Sequence, residues 1–233
     1  SGLLIAYGLA EIGVGIYALA FPSLFRVAAS ASGRVGFESV ASAFAFDVGL
    51  SALLLLPPTI LMGGTIPMLT QGLSRDTEDA TRLHGLVYAF NTVGAFGGAL
   101  LAGFLLIPWL GLELVMYWTS LINLVAGGIF VAAGNRADLP GATAEAVREA
   151  AQPRIEGFGQ LCAVALLTGF AMMSLQTVFI RIGGLSFGSS EYTFAMVVAT
   201  FVLCIAIGSF AVSSLSRVPT RLLAWNQWLL ALS

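Results

Sequence analysis

Charge is scarce in this chain. Asp, Glu, Lys and Arg together make up 9% of its 233 residues, against about 25% in soluble domains. Lysine is absent, so all ten basic residues are Arg. A chain with so few charged groups cannot cover a water-facing surface, which excludes an ordinary soluble domain. Alternating ten-residue stretches are also missing, which excludes a membrane β-barrel. The single His rules out a histidine metal cluster. There is no HExxH, CxxC or P-loop motif, and GGTIPMLTQG has no strand before it and does not match a dinucleotide fingerprint. No catalytic residues, metal or cofactor are therefore expected on this chain. The formal net charge of -2 is uninformative for a membrane chain, and no nucleic-acid partner is expected. Cys162 and Cys204 both lie in apolar runs and read as small core residues, not as a disulfide or metal pair.

What is present is hydrophobic residue, 58% of the chain, in long runs. In lipid every backbone polar group needs an internal partner, and helices provide it. The sequence predicts an all-α polytopic transmembrane bundle with about seven spans, near 3–21, 39–71, 83–107, 113–133, 158–180, 190–215 and 221–233. The lipid bilayer is thus its first partner. Residues 1–21 have no charged n-region and no small-residue cleavage site, so they make a poor signal peptide. The last run would be only about 20 Å long as a helix, and the chain starts inside an apolar run, so a piece of a longer protein is expected.

The connections hold nearly all the charge. The second, fourth and sixth loops carry seven Arg and the other three carry three. The positive-inside rule then places loop 72–82 and linker 134–157 in the cytoplasm. Linker 134–157 is polar, contains two prolines, and divides the chain into four spans at 1–133 and three at 158–233.

Polar residues within spans are costly and become candidates by default. Glu11, Asp47, Asn91, Asn123 and Gln176 each share a helical face with small residues. For Asn91, Asn123 and Gln176 the competing readings are substrate contact and interhelical hydrogen bonding. For Glu11 and Asp47 they are a solute or proton pathway, an ion pair with Arg, or an interfacial position. Gly94 and Gly98 form a GxxxG expected to pack a helix. The second span contains Pro57, Pro58, Gly63 and Gly64. These predict either a hinge or a static kink, with the second half tilted or partly unwound. Thr59 and Thr65 are placed to satisfy carbonyls that the prolines free. His84 reads as interfacial, and Ser189 or Ser190 as the cap of the helix that starts at Glu191.

LLPPTILMGGTIPML, followed by GLVYAFNTVGAFGGALLAGFLLIPWLGL, resembles the membrane domain of bacterial spermidine synthase-like proteins. The stretch GFAMMSLQTVFIRIGGLSFGSSEYTFAMVVATFVLCIAIGSF agrees with it, and the resemblance covers nearly the whole chain. It implies a major-facilitator-like architecture of two halves in the bacterial inner membrane, transporter-like, and handling a small cationic solute such as a polyamine. The family commonly carries a fused aminopropyltransferase domain, which these residues do not contain, so either that domain lies beyond residue 233 or this homologue lacks it. Gln176 departs from the pattern: the resemblance implies a Glu in that helix, and Gln cannot titrate. A reading from a different class is an accessory or scaffolding subunit of a larger membrane assembly. A transporter needs Glu11 and Asp47 to line one cavity, whereas a scaffold needs a filled centre and a large apolar outer patch.

Overall fold

The computed structural model describes residues 2–73, 77–136 and 158–214 and the isolated positions 225 and 228. It is helical, with no strand among the described residues. The helices are α1 (Gly2–Ser32), α2 (Val40–Leu73), α3 (Thr77–Leu101), α4 (Ile107–Leu110), α5 (Leu112–Arg136), α6 (Phe158–Phe187) and α7 (Glu191–Ser213). A π-helical turn, Ala102–Leu106, joins α3 to α4. Among the described residues six helices are long and apolar enough to cross a membrane, with α3, the π turn and α4 together supplying Leu83–Leu110. The expected seventh span, 221–233, apart from positions 225 and 228, and linker 134–157 beyond Arg136 lie outside the described residues.

Local chemistry explains the breaks. Gly111 takes φ 77°, a region that favours glycine, and its N–H caps Ile107 O at 2.9 Å. Gly188, which follows the end of α6, also has a positive φ, 91°. The Ser190 side chain then accepts from the Thr193 N–H at 3.3 Å and starts α7. The π turn precedes Pro108, where the regular hydrogen-bond ladder must be interrupted.

The second span corrects the expectation of partial unwinding. α2 is continuous from Val40 to Leu73 through Pro57, Pro58 and Pro67. Pro58 has no N–H for Leu54 O, four residues earlier. That carbonyl accepts from the Tyr17 hydroxyl of α1 at 2.7 Å. Nearby, Thr59 donates to Leu55 O at 2.8 Å and Thr65 to Met62 O at 2.7 Å. Neither threonine reaches a carbonyl that a proline frees, as the sequence suggested they would: Leu55 O and Met62 O keep their own N–H donors four residues on, and the replacement donor at Leu54 O comes from Tyr17. At 34 residues it runs about 50 Å, more than the roughly 30 Å hydrocarbon core.

Packing divides into two groups. α1 lies between α5 and α2, and α7 lies between α3 and α6; α2 and α3 bridge the groups. The tightest crossing is α1 on α5. A methyl group on Gly8 would meet Gly127 O at 2.6 Å, and one on Gly127 would meet Gly8 O at 2.5 Å. Ser120, fully buried, donates across to Gly15 O at 2.6 Å. α3 packs on α7, with Ala89, Thr92, Ala199 and Ala206 buried, and Gly103 of the π turn packs against Ala195 of α7. This contact joins helices from either side of linker 134–157. Elsewhere large apolar side chains point outward, as lipid-facing surfaces require.

Candidate functional site

The tight α1–α5 crossing positions the first polar cluster. Tyr7 of α1 packs edge-on against Phe130 of α5, with ring centroids 4.6 Å apart. Glu11 is one turn beyond Tyr7, and the Tyr7 phenol donates towards its carboxylate. Asn123 is two turns before Phe130 on the same stripe of α5. The helices run antiparallel, since Gly8 faces Val131 and Gly15 faces Leu124. Glu11 and Asn123 therefore lie on one edge of the crossing, within about 5 Å along the axis. Both are half-buried.

That edge faces inward. Leu9, Ile16 and Val27, each more than half exposed, lie roughly 140–160° around α1 from Glu11 at about 100° per residue. They form the lipid side. α2 closes the other flank: Gly13 meets Leu61, and Leu4 meets Gly72. Interpolation puts Glu11 at the level of Gly63 and Gly64. Gly63 has open space where a side chain would be, and Gly64 meets only Met68 within 4 Å. The carboxylate is thus level with the glycine pair, although Gly63 lies about 160° around α2 from Leu61, the residue that meets α1.

Asp47 is elsewhere. It accepts from Ser32 Oγ at 2.5 Å, at the very end of α1. Ser32 is 21 residues beyond Glu11 in one helix, about 30 Å along its axis. The two carboxylates do not line one cavity. The apolar run hid this, because α1 continues past Pro22 to Ser32 and carries the α1–α2 connection away from Glu11.

The other candidates also separate. Asn91, Gly94 and Gly98 are exposed, and methyl groups on the two glycines would meet nothing within 4 Å among the described residues. The stripe lies opposite the face of α3 that meets α7, where Gly85 packs on Ser213 instead, as Gly103 of the π turn packs on Ala195. Gln176 is half-buried on the stripe of α6 that includes Gly183, which contacts Thr193 of α7. Pro57 is exposed and Pro58 half-buried on the α1 side. His84 is exposed, stands 3.5 Å from Thr70 and stacks on Tyr88. Cys162 and Cys204 are both free and exposed, not core residues; on a lipid-solvated bundle an apolar run does not imply a buried one.

Sequence reasoning missed Tyr7, Tyr17 and Ser120. The available signals were a hydroxyl within an apolar run, which must find a partner, and for Tyr17 an orphaned carbonyl before Pro58. No family model matches the chain, nor does any curated protein or solved structure.

Proposed function

We propose that this chain is the transporter-like membrane domain of a spermidine synthase-like protein, and that it binds and passes a small organic cation such as a polyamine. The observation that carries this reading is Glu11: a carboxylate on the inward edge of the α1–α5 crossing, near Asn123 and level with Gly63 and Gly64. An ionisable group at such depth is costly unless a cation, a proton or water accompanies it. On this reading Glu11 neutralises the solute, Asn123 hydrogen-bonds it, and Pro57, Pro58, Gly63 and Gly64 let α2 bend. Asn91 and Gln176 lie on other faces, so their contribution would come through other helices.

The packing of α3 on α7 across the linker supports a major-facilitator-like arrangement of two facing halves. The same reading puts the protein in the bacterial inner membrane, with loop 72–82 and linker 134–157 in the cytoplasm. The test is uptake of labelled spermidine into proteoliposomes that contain the full chain. Uptake above empty vesicles, lost in Glu11→Gln, is expected; equal uptake by both forms overturns the role of Glu11.

A second reading, an accessory membrane subunit, draws on the bare stripe of Asn91, Gly94 and Gly98. Small residues with one amide suit a helix–helix contact. Co-purification of a stoichiometric membrane partner, lost in Gly94→Leu, would favour it.

A further inference from the structure

The carbonyl vacated by Pro58 and its donor on the neighbouring helix are a built pair. Pro58 cannot donate to Leu54 O, and the Tyr17 hydroxyl takes that place at 2.7 Å, from a residue 37 positions away. Tyr17 is half-buried, and its ring runs on to Phe21 and Phe25 along α1. A second tie, Ser32 Oγ to Asp47, holds the start of α2 to the end of α1. The far end of α2 is held on two sides: Leu4 of α1 packs on Gly72, and Thr70 stands beside His84 of α3. Pro57, Pro58, Gly63 and Gly64 lie between these anchors.

We infer that the Tyr17 hydroxyl is a releasable clasp on the bend of α2: bonded to Leu54 O it holds residues 48–56 against α1, and released it leaves that half tied only near Ser32 and Asp47, so that it can tilt about Pro57–Gly64. The inference rests on the hinge in the proposed function. The clasp holds only because proline orphaned the acceptor. With alanine at position 58, the backbone N–H recovers Leu54 O, and Tyr17 becomes redundant. The phenol and the proline are therefore coupled in a way that simple packing would not produce.

The experiment uses the full chain in lipid nanodiscs, with spin labels at Val48 and Met62, two exposed positions on either side of the proline pair. Pulsed dipolar spectroscopy reads the distance distribution between them. Tyr17→Phe keeps the ring and removes the donor, and should raise the bent population roughly threefold, the weight of an average transmembrane hydrogen bond. In a Pro58→Ala background the same substitution should change nothing. An unchanged distribution in Tyr17→Phe overturns the clasp, as does equal broadening in both backgrounds. The readout needs no solute, so a clasp that holds while spermidine uptake is absent would refute the transport reading alone.

Discussion

At the scale of single residues, this bundle uses its few polar groups in two ways. Some fasten helices. Ser120 is wholly buried and its hydroxyl reaches Gly15 O. That carbonyl already lies within a helical ladder, so Ser120→Ala should cost about 0.6–1.7 kcal/mol, the range for transmembrane hydrogen bonds. Reversible unfolding in mixed micelles measures it. The Arg26–Glu113 pair, at 2.8 Å with both side chains more than half exposed, belongs to the same class but is weaker. Glu113→Gln should change stability by less than about 1 kcal/mol. Glu11 is the exception: it is half-buried, ionisable, and beside a phenol instead of an Arg.

At the scale of elements, glycine marks where helices touch, but not every glycine pair does so. Gly8 and Gly127 each exclude a side chain on the other. Gly127→Val should overpack the α1–α5 crossing and cost about 1–3 kcal/mol. Gly94→Ala, facing open space among the described residues, should stay within about 1 kcal/mol of wild type and can be mildly stabilising. Parallel thermal melts in detergent separate the two. Sequence alone cannot tell these glycines apart, because both lie in small-residue stripes. It does locate the elements well. The 39–71 run is α2 within two residues, and 190–215 covers α7. The 3–21 run stops short of the helix end at Ser32, because Pro22 ends an apolar run without ending the helix. Likewise α2 runs on through three prolines, and the carbonyl that Pro58 vacates takes its donor from another helix. Local breaker rules omit such tertiary partners.

At the scale of the whole molecule, pairing was the illegible part. Hydrophobic period reports that a face is apolar, and in a membrane every face is apolar. Nothing in the chain marks α3 as the partner of α7, or divides five polar residues among different surfaces. The contact can be tested directly. A Cβ on Gly85 would lie 2.8 Å from Ser213 Cβ, nearer than the about 3.8 Å of a disulfide, so the two helices need to part by about 1 Å to accept one. A Gly85→Cys, Ser213→Cys double variant with Cys162 and Cys204 replaced by Ala should oxidise intramolecularly. Its two fragments should then stay joined on a non-reducing gel after cleavage at a protease site engineered into 137–157. Separate fragments would refute the pairing.

Glu11 and Asp47, about 30 Å apart along α1, frame the central claim, that one carboxylate serves the solute and the other the scaffold. The most direct measurement is equilibrium binding of labelled spermidine to the full chain in nanodiscs, with Glu11→Gln and Asp47→Asn compared side by side. The account predicts at least about tenfold weaker binding for Glu11→Gln, about 1.4 kcal/mol, and affinity within about twofold of wild type for Asp47→Asn, where the amide oxygen still accepts from Ser32. Equal losses in both variants, or binding indifferent to Glu11, would contradict it.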